Sequence, residues 1–195
     1  SITLTITGAY RVKVSGLTLR NAGTSQKTIW LSTSDGGAFY LENCYLWLGN
    51  TSDTSWMQFG PSSAVNNNVT VKNSTFRLGH ASQALYSSGS NSFLGCTISS
   101  DGIAPNTLFG SSVGGTSTDL IGCDFSRCGS GTLVANQTTY SSIFRFIQCK
   151  LGTNYVARAT PSSPANAANG QTWIIDCSSG DTHGLFGYYD GQGAL

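Results

Sequence analysis

The chain has 195 residues, of which only 10% are charged, and its formal net charge is +1. An ordinary soluble domain carries about 25% charged residues, and the composition here excludes the clustered Lys and Arg by which nucleic acids and anionic membranes are bound. No apolar run reaches the roughly 18 residues of a membrane span, whereas the abundant Ser, Thr, Asn and Gly are typical of an extracellular or virion β-protein.

A short sequence pattern recurs along the chain every 22 to 30 residues. Each copy has a central residue, most often Cys, with apolar residues at fixed positions on either side. In chain order the central residues are Leu17, Cys44, Ser74, Cys96, Cys123, Cys149 and Cys177. A repeat of this length predicts a solenoid, because one such unit buries its apolar face only against its neighbours.

The residues around each central position alternate as they do in a β-strand. Three residues before the central residue the copies have Val14, Leu41, Val71, Phe93, Leu120, Phe146 and Ile174. Two residues after it they have Leu19, Leu46, Phe76, Ile98, Phe125, Leu151 and, against the rule, Ser179. We predict that these columns form the core.

The residue just before each central residue is expected to turn the chain between two strands. These corner residues are Gly16, Asn43, Asn73, Gly95, Gly122, Gln148 and Asp176. Gly and Asn tolerate a left-handed backbone better than other residues do. Each repeat therefore reads as a strand, a one-residue corner and a second strand.

A third apolar run follows in every repeat, at residues 29–31, 56–59, 84–86, 107–109, 132–134, 155–157 and 184–186. Three short strands per repeat predict an all-β parallel β-helix of about seven coils, with residues 1–195 forming one domain. The chain opens directly on strand-like residues 2–6, and residues 188–195 offer little to form a lid. Since solenoid ends need caps, we expect a segment of a larger polypeptide or an end capped by partner chains.

This arrangement resembles the right-handed parallel β-helix of the pectate-lyase-like superfamily, which includes viral tailspikes. The resemblance covers nearly the whole chain and is specific for the architecture. It implies the right-handed winding, and it implies a homotrimer, because the proteins concerned are typically homotrimeric.

The six cysteines are predicted to be free thiols. Five of them occupy the central column, where a small apolar thiol suits a buried position, and the parallel stacking is an awkward geometry for disulfides. Cys128 lies outside the column and is also expected to be free, although a bridge to Cys123 is the alternative. Free thiols fit a phage-like protein that folds in the bacterial cytoplasm and is released by lysis.

The sequence predicts no catalytic residue, no metal site and no cofactor. Hydrolases of the superfamily need two carboxylates held close together, and the nine carboxylates here form no obvious pair on neighbouring coils. Residues 173–177 resemble the pectate lyase Trp-Ile-Asp-His stretch with its Asp displaced and its His absent. Residues 182–185 resemble the Gly-His-Gly segment of polygalacturonases without its companion motifs. We interpret His80 and His183 as loop residues and Asp176 as structural.

One outward column has unusual chemistry. Three residues after the central position, Arg20, Trp47 and Arg77 follow one another on three consecutive coils. Stacking of this column predicts a guanidinium on each side of an indole, a cation–π arrangement. Tyr40, Tyr45 and Trp173 are outward by alternation and are expected to enlarge the same surface. This surface suits a contact with a neighbouring subunit, and sugar binding is the alternative.

We expect a non-catalytic structural or adhesive module of a phage-like virion: a tailspike, a tail fibre or a capsid-decorating protein. Its expected partners are other virion subunits, in a homotrimer, with a surface glycan as a further candidate ligand. The alternative is a polysaccharide lyase or glycoside hydrolase domain of the pectate-lyase-like superfamily. An ice-binding solenoid is disfavoured, because the outward threonines are too scattered.

Overall fold

The computed structural model describes residues 2–6, 8–21, 28–33, 36–49, 56–60, 68–100, 105–111, 116–134, 142–158, 170–190 and 193–194. The strands form three sheets, which the chain visits in turn, so that successive coils stack in parallel. The predicted all-β parallel β-helix is therefore confirmed.

The first sheet has seven strands, β1 (Ile2–Ile6), β4 (Thr28–Thr33), β7 (Trp56–Phe59), β10 (Ala84–Ser87), β13 (Phe109–Ser111), β15 (Thr132–Val134) and β18 (Val156–Arg158). The second sheet has ten strands, β2 (Arg11–Ser15), β5 (Ala38–Glu42), β8 (Asn68–Lys72), β11 (Ser90–Leu94), β14 (Thr116–Ile121), β16 (Ser142–Ile147), β17 (Lys150–Leu151), β19 (Gly170–Ser179), β20 (Thr182–Asp190) and β21 (Gly193–Ala194). The third sheet has four strands, β3 (Thr18–Asn21), β6 (Tyr45–Leu48), β9 (Thr75–Leu78) and β12 (Thr97–Ser99).

The coils are not all built alike. Four of them contribute a strand to each of the three sheets. After β12 the third-sheet position continues as isolated bridges from Thr97 to Asp124 and from Asp124 to Lys150. A short 3-10 helix, Ser126–Cys128, follows the first of these bridges. Three strands are present in the four coils that reach the third sheet and in the coil of β15, β16 and β17, whose short third strand pairs with Ser178 and Ser179 of β19.

Every predicted corner residue has the left-handed conformation. The φ angles lie between 47° at Asn73 and 69° at Gly16, and they include Gln148 at 52° and Asp176 at 51°. The corner amides also bond between coils, as where Asn43 N donates to Lys72 O at 3.1 Å and Gln148 N donates to Ile175 O at 2.9 Å. The corners therefore stack as a continuous ladder, and this prediction is confirmed.

The predicted core columns are buried. Leu120, Phe146 and Phe125 are among the side chains with no exposed surface. Aromatic rings continue the packing from coil to coil, with centroids of Phe59 and Phe93 at 5.1 Å in an edge-to-face contact, a geometry worth about 0.5–1.5 kcal/mol per pair beyond simple burial. Leu4, Val14, Leu17 and Leu19 of the first coil are only partly buried, because only one described coil packs against them.

All six cysteines are free and buried, as predicted. The central thiols contact a carbonyl of the preceding coil, as where Cys123 Sγ donates to Phe93 O at 3.3 Å and Cys149 Sγ donates to Leu120 O at 3.1 Å. Cys128 occupies the 3-10 helix and donates to Ile98 O at 3.2 Å. It joins the core rather than a loop, and burial raises the pKa of its thiol to about 12.

The last repeat differs from the prediction. Residues 184–186 were expected to form the third strand of the coil, but they belong to β20, which runs antiparallel to β19. A tight turn at Gly180, with φ of 56°, reverses the chain before it can continue the coil. β20 pairs with β19, and Leu185 and Tyr189 pack against the core. The expectation that residues 188–195 offer little to form a lid stays a prediction, because only 188–190 and 193–194 of them lie in the described part of the chain.

Candidate functional site

The predicted cation–π stack is confirmed on the outer face of the third sheet. In-register pairing of β3, β6 and β9 sets Arg20 and Arg77 on either side of Trp47. The guanidinium carbon Cζ lies 4.0 Å from the indole centroid for Arg20 and 4.6 Å for Arg77. Equal positions on parallel strands stand about 4.8 Å apart, and this spacing admits one planar group above the next.

Tyr45 extends this surface along the same strand. It precedes Trp47 by two residues, which places both rings on one face of β6. Its register partners are Thr18 on β3 and Thr75 on β9. An aromatic pair is thus bracketed by hydroxyl groups at one end and guanidinium groups at the other. We call this set the aromatic–arginine face: Thr18, Arg20, Tyr45, Trp47, Thr75 and Arg77.

Tyr40 lies on a different surface. It belongs to β5 of the second sheet, between Lys13 and Thr70 in register. There it lines a cavity of about 250 Å³ whose wall includes Glu42 and Lys72. Lys13 Nζ lies 2.5 Å from Glu42 Oε2, and this hydrogen-bonded ion pair lowers the pKa of the Glu42 carboxyl.

Trp173 is also separated from the aromatic–arginine face. It lies on β19, where its ring contacts that of Tyr188 at a centroid distance of 4.4 Å. The expectation that Tyr40 and Trp173 enlarge the surface around Trp47 is wrong. The corner between the second and third sheets turns the strand, so outward residues before and after it belong to different faces.

A second candidate site is a groove along the corners of the last coils, with a volume of about 510 Å³. We call it the polar groove. Its wall is formed by Gly122, Cys123, Asp124, Gln148, Cys149, Lys150, Asp176, Cys177, Ser178, His183 and Gly184. His183, interpreted from the sequence as a loop residue, lies on β20, so that interpretation is wrong. His80, in contrast, lies between strands as expected.

The two carboxylates of the polar groove already have hydrogen-bond partners. Asp124 Oδ1 accepts from Ser126 N at 2.8 Å and from Ser126 Oγ at 2.6 Å, and Ser126 is the first residue of the 3-10 helix. Asp176 Oδ2 accepts from Gln148 Nε2 at 3.3 Å. The two residues stand two coils apart, roughly 10 Å along the solenoid axis, with Lys150 on the intervening coil.

The floor of the polar groove contains three stacked thiols. Cys149 lies between Cys123 and Cys177, and hydrogen bonds from these two neighbours lower the pKa of Cys149. The same hydrogen bonds, together with burial, raise the pKa values of Cys123 and Cys177. Each of the three side chains is about 1% exposed, so their role in the groove is packing.

Within the described part of the chain, no three His, Cys, Asp or Glu side chains are arranged to hold a metal ion. The described residues also contain no helix long and apolar enough to cross a membrane. No protein-family model, curated protein or solved structure matches this chain. The fold therefore defines the class, an all-β parallel β-helix, and the geometry of its surfaces is what bears on function.

Proposed function

We propose that this chain is a non-catalytic structural or adhesive module of a phage-like virion, a tailspike, tail fibre or capsid-decorating protein, and that its aromatic–arginine face binds a neighbouring subunit. The observation that carries the proposal is Trp47, held between Arg20 and Arg77 at 4.0 and 4.6 Å. Trp, Tyr and Arg are the residues most enriched among those that dominate binding energy at protein interfaces.

The geometry of the face favours binding of a protein. Trp47 and Tyr45 project from a strand paired on both sides, and the stacked guanidinium groups restrict the indole. A surface ordered in this way before contact loses little conformational entropy when a partner binds. Outward-directed N–H groups of arginine supply hydrogen bonds at the edge of such a contact.

The virion assignment is supported by composition and by the state of the thiols. Only 10% of the residues are charged, and the six cysteines are free. Free buried thiols suit a protein that folds in a reducing cytoplasm. The resemblance to tailspike β-helices adds the expectation that the neighbouring subunits are copies of this chain in a homotrimer.

The test is the mass of the assembly in solution for wild type and for Trp47→Ala. The substitution should weaken the contact by at least about tenfold in dissociation constant, with an unchanged circular dichroism spectrum, since the indole points away from the core. Tyr40→Ala is the matched control, because Tyr40 is an outward aromatic on a different sheet. Equal assembly of Trp47→Ala and wild type would contradict the proposal.

The polar groove favours a second candidate, cleavage of a polysaccharide. Asp124, Asp176 and Lys150 line one concave surface with His183, and a carboxylate pair flanking a bound sugar is the requirement for glycoside hydrolysis. Release of reducing sugar or of unsaturated product from a panel of polysaccharides, lost in Asp176→Asn and retained in Trp47→Ala, would favour this function over the structural one.

A further inference from the structure

The outer face of the second sheet changes character halfway along the solenoid. The residues that immediately precede the corners are in register from coil to coil. In the first three coils this column contains Ser15, Glu42 and Lys72. In the next four coils it contains Leu94, Ile121, Ile147 and Ile175. We call these four residues the aliphatic stripe.

The aliphatic stripe points away from the core. Ile121 is 38% exposed, whereas the adjacent Leu120 has no exposed surface. Leu94, Ile147 and Ile175 are half-buried, and each follows a buried core residue in its strand. Trp173, 37% exposed, continues the apolar surface at the end of the stripe. Aliphatic ladders on both faces of a parallel sheet are typical of sheets that are covered on both faces.

The charges beside the stripe indicate what covers it. Two residues earlier on the same face, Asp119 of β14 and Arg145 of β16 are neighbours in register. Arg145 Nη1 lies 2.6 Å from Asp119 Oδ1 and also donates to Ser117 Oγ at 3.1 Å. The two side chains are 36% and 35% exposed, so each can meet a second charge from outside.

We infer that the aliphatic stripe binds a second copy of this chain, with the two solenoid axes antiparallel. A twofold axis that lies in the contact plane, parallel to the strands and between β14 and β16, places each column opposite itself in reversed order. Ile121 then faces Ile147 of the second copy, and Leu94 faces Ile175. Asp119 of each copy faces Arg145 of the other, so the four charges alternate in sign.

A parallel arrangement lacks this complementarity. Rotation about an axis along the solenoid sets equal coils opposite one another and reverses the strands, so a contact centred on the charged column brings Asp119 against Asp119 and Arg145 against Arg145. Like charges brought together in an apolar contact are strongly unfavourable. The charge pattern therefore selects an antiparallel pair of copies.

The first test is the mass of the assembly by sedimentation velocity at micromolar concentration. Wild type should contain an even number of copies of the 20.4-kDa chain. Ile121→Lys places two like charges, one from each copy, near the twofold axis and should halve the mass, with the dissociation constant raised roughly a hundredfold. Ser15→Lys puts the same charge in the same column outside the overlap and should leave the mass unchanged.

The second test determines the orientation. Chains with Leu94→Cys and chains with Ile175→Cys are mixed and treated with a short bismaleimide, which spans the roughly 10 Å between packed sheets. These two positions are three strands apart, so identical residues of an antiparallel pair lie beyond the reach of the reagent. The native cysteines are buried and should not react. Cross-links should join Leu94→Cys chains to Ile175→Cys chains, whereas cross-links between identical variants would show a parallel contact and overturn the inference.

An odd number of copies, or a mass unaffected by Ile121→Lys, would also overturn it. These outcomes are separate from those of the proposed function, because Trp47→Ala alters a different sheet. The Trp47→Ala variant should keep the twofold contact, and a folded, monomeric Ile121→Lys/Trp47→Ala variant should result if both contacts exist. The thermal melting curve of each variant confirms that the chain is folded.

Discussion

The early and late halves of the solenoid share one core but differ on the outside. In the early half, each coil has a strand in all three sheets, and the half-buried outward ring of Trp47 on the third sheet is flanked by charge. In the late half, the third-strand position is reduced to isolated bridges, a 3-10 helix and the two-residue strand β17, and the second sheet has an outward aliphatic column. Inward columns are continuous through both halves. The continuous core thus determines how the coils stack, and it leaves the outward residues free to differ from coil to coil.

The largest expected effect is the difference in folding between substitutions at an inward and at an outward position of one strand. Leu120→Asp should prevent folding, because it places an unpaired carboxylate in a position with no exposed surface. Phe146→Asp should behave in the same way. Ile121→Asp, one residue further along β14, should leave a folded chain. Soluble yield and thermal melting measure the difference, and similar behaviour of Leu120→Asp and Ile121→Asp would contradict the register.

A corner substitution should have a smaller effect. Gly122 has φ of 61°, and a Cβ there would meet no atom within 4 Å, so any cost arises from the backbone conformation. Gly122→Val should lower the free energy of unfolding by about 1–3 kcal/mol. Gly122→Asn is the control and should cost less, since Asn tolerates this conformation. Denaturant unfolding gives both values, and equal costs would mean that φ is not the cause.

The stability of the protein at alkaline pH should reveal the buried thiol of Cys128, which lies outside the central cysteine column and in the late half. Burial raises the pKa of Cys128 to about 12 from its ordinary 9.0, so the unfolded chain loses this proton at lower pH than the folded one. The stabilising contribution is complete below about pH 9 and is lost as pH rises toward 12, at about 1.4 kcal/mol per pH unit.

The measurement is urea unfolding between pH 9 and 12 for wild type and for Cys128→Ala. The variant should be less stable at neutral pH, because it removes buried atoms, but its stability should fall less steeply over this range. The difference between the two slopes isolates Cys128 from all other groups, because these are the same in both chains. Parallel slopes would show that the Cys128 thiol is accessible to water.

The smallest expected effect is a difference in the free energy of unfolding between substitutions at equivalent corners of the two halves. Gln148 in the late half has φ of 52°, and Asn43 in the early half has φ of 55°. Gln148→Gly should raise the free energy of unfolding by about 0.5–1 kcal/mol, because Gly adopts this conformation without steric cost. Asn43→Gly should change it less. If Asn43→Gly gave the larger gain, hydrogen bonds rather than φ would determine corner stability.

Local patterns in the sequence account for the core and for the stacked cation–π contact. Alternation assigns Leu41 and Phe93 inward and Trp47 outward, and a nearly constant repeat length places equal positions on top of one another. The same reasoning identifies the corners, because the alternation of inward and outward side chains is interrupted at the single residue between two strands. These inferences depend only on the alternation and the repeat length, and not on how distant parts of the chain meet. The structure confirms them.

The tertiary structure alone decided where the solenoid pattern ends and which outward residues share a face. Residues 184–186 have the same apolar character as earlier third strands, and only the competing antiparallel pairing with β19 carries His183 to the polar groove. Likewise Tyr40 and Trp47 are both outward by alternation, but the intervening corner directs them to different sheets. Alternation is a property of one strand, whereas faces and grooves depend on the angles between strands and on long-range pairing, which a local pattern does not encode.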